Sequence, residues 1–330
     1  QLAILQPTIA GYGAETSFAS LFGFGHRHGA RIWATGQAWW QGPEGPYWGH
    51  NALLRIKAFR RYARLPLLPD GTAILSHDHA EAALLHAAGW AMRVLPDDAG
   101  SFERHPPDLL ALFSRDLRWA AGNMQYRHLL RRREFGKVGR FQMTQAILHY
   151  ALAPLWFALL PLAALNVATG GGEGTPRVLL LALLLASYAA LTMPKLAGYL
   201  ELLLRSGWAG RAAPLRRMGQ EMLLGLLLDP VAAMERCLTM LQLARQRSGS
   251  WAPQHRAART ITWVVATRYF GLHMAAGLVL ASGFAAGGGF ALTTALPVIA
   301  GLLLAVPLAV VTARPAAPSK AERMAGVEAP

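Results

Sequence analysis

Residues 146–168 read AILHYALAPLWFALLPLAALNVA, a run without one formal charge. It is long enough to cross a hydrocarbon core of roughly 30 Å as a helix. Outward from it the composition divides the chain. Of the 18 acidic residues, 11 lie before residue 141 and the other seven are spread over the longer remainder. A second apolar run extends from Val178 to about Leu204, interrupted by Pro194 and Lys195 and preceded by the turn-forming stretch Gly170 to Pro176. From Tyr269 to Ala313 there is no Asp, Glu, Lys or Arg, enough for two crossings joined at Gly287-Gly288-Gly289. The spans are therefore expected at about 146–168, 178–204, 261–283 and 290–312. The segment 219–244 carries Glu221, Asp229, Glu235 and Arg236 among its apolar residues, and such charges are costly at mid-bilayer. It is expected to be an amphipathic interfacial helix, with a helical hairpin or a protein-buried span as alternatives.

The whole chain fits this division. Its 330 residues are 53% hydrophobic and 15% charged, with a formal charge of +14. The hydrophobicity argues against a wholly soluble enzyme, and the basic residues sit beside the spans, which excludes a nucleic-acid-binding module. The single Cys237 excludes an intramolecular disulfide framework and an all-cysteine zinc site. Lys and Arg crowd residues 115–140, 205–217 and 245–259, whereas 169–177 and 284–289 carry almost none. By the positive-inside rule the basic segments are cytoplasmic, and both ends of the four-span chain lie inside. The chain opens on Gln1 and a strand-like Leu2-Ala3-Ile4-Leu5-Gln6, so it is expected to begin inside a domain as the later part of a longer protein. The polar, small-residue tail 314–330 is expected to be a disordered cytoplasmic extension.

Most of the motifs lie in the first half. Residues 74–90, ILSHDHAEAALLHAAGW, read as an apolar approach, the polar Ser76-His77-Asp78, and a helix ending at Gly89. Ser76 and Asp78 are helix-capping residue types, so a cap is one reading of them. His77, Asp78, His79 and Glu81 do not make a metal site by spacing, because adjacent histidines do not share a helix face. Trp90 to Leu95 reads as an edge strand. After Pro106-Pro107, a helix brings Arg115, Arg118 and Trp119 to one face at i, i+3 and i+4. Two cations and an indole on one face suit an anionic ligand, or equally lipid headgroups and the aromatic belt.

In this order, Ser76-His77-Asp78, Gly89-Trp90 and Arg115-x-x-Arg118-Trp119 ahead of a membrane span resemble the processive family 2 glycosyltransferases of the cellulose synthase type. The resemblance is closer to the bacterial glucan-biosynthesis glucosyltransferases. It rests on Trp39-Trp40-Gln41-Gly42, Tyr47-Trp48-Gly49-His50-Asn51-Ala52, Leu75 to Asp78, Arg115 to Asn123 and Trp251-Ala252-Pro253-Gln254, colinear from Leu2 to about Arg314. It implies an α/β fold plus a membrane α-helical domain. Residues 1–143 would form the acceptor half of a GT-A-type domain, and 144–313 a transmembrane bundle with the interfacial helix.

The resemblance implies that Asp78 is the base that deprotonates the acceptor hydroxyl. Arg115 and Arg118 would meet the leaving diphosphate and Trp119 a sugar face. Arg115 stands where the general motif has Gln. Gly49, His50 and Asn51 would border the acceptor site. Trp39, Trp40 and Trp48, with Tyr47, would offer a carbohydrate platform, with core packing or membrane anchoring as the alternative. Trp251, Pro253 and Gln254 would form a loop over the active site, with a plain linker as the alternative.

The implied donor is UDP-glucose, the acceptor a growing β-glucan chain, and the cofactor Mg²⁺ or a similar divalent ion. The implied setting is the bacterial inner membrane, with a periplasmic glucan-processing protein as a further partner. The family's D-x-D metal ligands are not found in this sequence, so no metal-binding residue is assigned here and the 330 residues alone are expected to be inactive. The alternatives are another processive β-glycan synthase, or a non-catalytic membrane transporter or scaffold.

Overall fold

The computed structural model describes residues 1–45, 47–97, 100–207, 210–245 and 257–316. Trp251, Pro253, Gln254 and most of the 314–330 tail lie outside them. The chain opens with strand β1 (Leu2–Pro7), buried at Ala3, Ile4 and Gln6 as its apolar composition requires. β1 is the middle strand of a three-stranded sheet. It runs antiparallel to β3 (Leu53–Leu54) and parallel to β4 (Ala91–Leu95), with Ile4 opposite Leu54 on one side and Met92 on the other. A second, two-stranded parallel sheet joins β2 (Ala10–Gly11) to β5 (Phe102–Glu103). Between these strands lie α1 (Ser17–Gln41), α2 (Ile56–Tyr62) and α3 (Asp78–Ala87). Leu85 and Ala82 of α3 close over Ile4, Met92 and Tyr47, a small core on one side of the sheet.

The helix with Arg115, Arg118 and Trp119 is α4 (Leu109–Gln125). Its N-cap Asp108 accepts from Ala111 N at 2.8 Å, the role that a β-region Asp before a helix usually takes. α5 (Gly136–Ala151) and α6 (Ala153–Ala168) form one run that starts at a 3₁₀ turn, and the expected join at residue 143 falls inside α5. α7 (Arg177–Arg205) carries Pro194 in its interior, and α8 spans Ala212–Ala244. The chain then forms α9 (Trp263–Ala286), α10 (Gly289–Leu303) and α11 (Ala305–Thr312).

Among the described residues three helical runs are long and apolar enough to cross a membrane: Arg133–Ala168, Arg177–Arg205 and Trp263–Ala286. A fourth candidate, α10 with α11, is bent by 55° instead of forming one straight helix. Pro307 explains the bend. It has no N–H for the Leu303 carbonyl, and its ring crowds that carbonyl, so the helix breaks between them.

The segment 219–244 lies within a single helix, not a hairpin. α8 shares one core with α1, α4, α9 and α11, through Leu224, Leu228 and Val231 against Phe18, Phe113, Phe270 and Val306. Three of the charges in 219–244 meet protein partners. Glu221 is buried and accepts from Lys195 Nζ at 2.6 Å and Tyr199 Oη at 2.5 Å. Arg236 pairs with Asp116 at 3.3 Å, and Glu235 accepts from Tyr269 Oη at 2.7 Å. That pairing lets Glu221, Glu235 and Arg236 sit among apolar neighbours.

Candidate active site

Asp78 is the first residue of α3, but it caps nothing. The N-cap is His77, which has helical backbone angles and makes no side-chain cap bond. The Asp78 carboxylate instead accepts at Oδ1 from the Tyr126 hydroxyl, 3.1 Å away and directly after α4. Burial first, and then the Asp78 charge, drives the Tyr126 phenol far above its ordinary pKa. It therefore stays protonated and donates, fixing the carboxylate without taking its charge.

α4 clamps the loop before Asp78 at two more points. Gln125 Oε1 accepts from Leu75 N at 2.8 Å. At Gly122 the helix passes so close that an added Cβ would meet Ser76 Oγ at 2.1 Å and Ser76 N at 2.8 Å. The helix with the Arg-x-x-Arg-Trp motif is thus the wall against which the Ser76-His77-Asp78 loop is set.

The opposite wall is the turn at Gly49, His50 and Asn51. Gly49 has φ +81°, and its added Cβ would touch Asp78 Cβ and the His77 ring at 3.4 Å. Asn51 is the one non-glycine residue with positive φ among the described residues, at +51°. Its amide donates to Phe102 O at 3.2 Å, which offsets the left-handed backbone. Buried Gln6 ties the turn to β1. It accepts from Trp48 N at 3.0 Å and donates to His50 O at 3.3 Å.

Tyr47 packs edge-on to His77, with ring centroids 6.3 Å apart. Its phenol is pushed up to about 12 by burial, with the Glu81 and Asp78 charges adding to it. His77 Nδ1 lies 2.8 Å from Glu81 Oε2, and that bond raises the imidazole above its ordinary value.

Arg115 and Trp119 share a face as their spacing requires, the guanidinium 4.6 Å from the indole centroid. Burial lowers the Arg115 pKa, and its Nε is buried without a hydrogen-bond partner among the described residues. Arg118 is half-buried on the same helix, and Trp119 keeps 46% of its surface exposed.

Glu103 connects the two walls. Its Oε2 lies 2.8 Å from His50 Nε2, which raises the His50 pKa, and its charge acts on Arg115. Sequence reading missed Glu103, Gln6, Gln125 and Tyr126. Only Gln125 and Tyr126 had a signal there, lying about two turns beyond Trp119, at the end of the motif's helix.

Trp39 and Trp40, 86% and 78% exposed, end α1, and no contact described above links them to Asp78. Among the described residues no three His, Cys, Asp or Glu side chains converge as a metal site. The described residues do not fit a divalent ion.

Residues 16–196, more than half of the chain, match the glycosyl transferase family group 2. The chain belongs to that family. The chain is similar to glucans biosynthesis glucosyltransferase H of Xanthomonas oryzae pv. oryzae, 32% identical over 94% of this chain and 52% of that protein. The proteins of the same name from Caulobacter vibrioides and Rhodopseudomonas palustris are 33% and 35% identical over 89% and 91% of this chain, and 48% and 45% of theirs. The chain spans about half the length of the curated relatives it matches.

Proposed function

We propose that this chain is the acceptor half and membrane domain of a processive glucosyltransferase that moves glucose from UDP-glucose onto a growing β-glucan. Residues 1–143 form the acceptor half of a GT-A-type domain on the cytoplasmic face of a bacterial inner membrane. Residues 144–313 form the multi-pass domain beside it, oriented by the basic segments that flank the spans. The observation that carries the reading is the clamp itself: the helix bearing Arg115, Arg118 and Trp119 holds the Asp78 loop through Gly122, Gln125 and Tyr126.

In the reaction, an acceptor hydroxyl oxygen attacks the anomeric carbon of the donor with inversion. The bond from that carbon to the diphosphate oxygen breaks, UDP leaves, and the hydroxyl proton passes to Asp78. Arg115, desolvated and with an unpartnered Nε, is a strong electrostatic partner for the diphosphate charge that develops. Gly49, His50 and Asn51 border the acceptor, and Trp119 presents the ring face that Arg115 leaves open. Trp39, Trp40 and Trp48 extend the carbohydrate platform.

The test supplies labelled nucleotide sugars one at a time to the full-length protein in inverted membrane vesicles. UDP-glucose is expected to give a polymer cleaved by β-glucanase. Polymer made from a different sugar, or no transfer from any of them, overturns the proposal.

A further inference from the structure

A cleft of about 500 Å³ lies between the first turn of α1, the N-terminal half of α8 and the end of α11, away from Asp78 and the α4 motif. Its volume falls within the roughly 300–1,000 Å³ range of ligand clefts. One side is polar and cationic, with Arg216, Arg217 and Ser20; the other is apolar, with Leu223, Leu227 and Leu308. None of its lining residues is acidic. The nearest carboxylate on α8, Glu221, is turned to Lys195 and Tyr199.

The cationic side is set in advance. Arg217 donates to Ser20 Oγ and lies over the Phe24 ring, 5.9 Å from its centroid, while Arg216 is exposed. The apolar side continues onto open surface, with Leu215, Leu223 and Val311 each about half exposed. Apolar α11 ends at Thr312, and Arg314 follows Ala313 just beyond it. The cleft therefore sits where an apolar segment gives way to basic residues, at headgroup level in a membrane reading.

We propose that this cleft binds an anionic phospholipid, its phosphate between Arg216 and Arg217 and one acyl chain along Leu223, Leu227 and Leu308. A guanidinium pair matches a phosphodiester by charge and by donor geometry. The leucine wall requires a chain that a free phosphate lacks. A choline headgroup would bring its own cation against two others.

The test is native mass spectrometry of the purified full chain from nanodiscs of phosphatidylglycerol or phosphatidylcholine. Retained phosphatidylglycerol is expected, with little phosphatidylcholine. The double variant Arg216→Gln, Arg217→Gln should weaken retention about tenfold, as lost charge-assisted bonds do. Leu223→Glu, at an exposed position that folding tolerates, should do the same by placing a carboxylate beside the phosphate. Equal retention of the two lipids, or undiminished phosphatidylglycerol in Leu223→Glu, overturns the proposal. Thermal stabilisation by inorganic phosphate equal to that by phosphatidylglycerol would make a free anion the occupant and overturn it as well.

Discussion

Gly122→Ala puts one methyl group where α4 presses on the Asp78 loop. The added Cβ would lie 2.1 Å from Ser76 Oγ, which can rotate away, and 2.8 Å from Ser76 Cβ and N, which cannot. Comfortable contact begins near ~3.5 Å, so helix and loop must part by about 0.7 Å. That separation stretches the 2.8 Å bond from Leu75 N to Gln125 and the 3.1 Å bond from Tyr126 to Asp78 to the edge of hydrogen bonding or past it. Overpacking costs about 1–3 kcal/mol and each of the two weakened bonds about 1 kcal/mol, so the variant should lose about 3–5 kcal/mol.

The melting temperature, followed by fluorescence in detergent, should fall by roughly 5–15 °C. Glucose transfer by the full-length protein should fall about a hundredfold, as misplacing a reacting group by up to ~1 Å does. Gly36→Ala is the control, an exposed helical glycine with nothing within 4 Å of an added Cβ. It should be neutral or slightly stabilising. A Gly122→Ala protein that melts and transfers like the Gly36→Ala control would refute the clamp.

Other expectations follow from single contacts. Tyr126→Phe removes the hydroxyl that donates to Asp78 and also meets Ser76, and should cost about 1 kcal/mol, with a smaller loss of transfer than Gly122→Ala; an equal loss would mean that Tyr126 does more than hold the Asp78 loop. At Asn51, stability should run wild type, then Asn51→Gly, then Asn51→Ala, because alanine both loses the bond to Phe102 O and keeps a Cβ at φ +51°; denaturant melts in which alanine matches glycine would contradict this. His105 is held down to about 4, first by burial and then by the charges of His26 and Arg115, against a partial opposing effect of Glu103. It is neutral when folded, so the unfolded state takes up its proton first, and its contribution is lost as the pH falls from about 6.5 to 4, by about 3 kcal/mol in full. His105→Leu should therefore lose less melting temperature than wild type between pH 7.5 and 5, and parallel losses would remove the assignment. Pro307→Ala restores an N–H opposite the Leu303 carbonyl and should straighten the 55° bend, read as a longer spin-label distance between the ends of α10 and α11.

What could be read from the chain follows the range of each interaction. The apolar runs stood out because a span is a local property, and α7 and α9 lie close to their expected bounds. The break near Leu304 was legible in Pro307 but was masked by the uniform apolarity around it. α8 was harder, because charges that look costly in isolation are neutralised by residues far away in sequence, such as Lys195 for Glu221. In the site, Arg115 and Trp119 met as helical spacing requires, whereas Asp78 took a tyrosine partner 48 residues away in place of a capping role. Glu103 and Gln6 carried no local pattern at all, since their roles come from strand pairing that brings the ends of β1 and β5 to the Gly49 turn.

The most direct measurement is labelled glucose transfer from UDP-glucose by the full-length protein carrying Asp78→Asn. The amide oxygen can still accept from Tyr126, so the loop should keep its place and membrane insertion its yield. Without a carboxylate to take the acceptor proton, turnover should fall by about 10²–10⁴ while affinity for UDP-glucose stays the same. Turnover at the wild-type rate would contradict the assignment of Asp78 as the base.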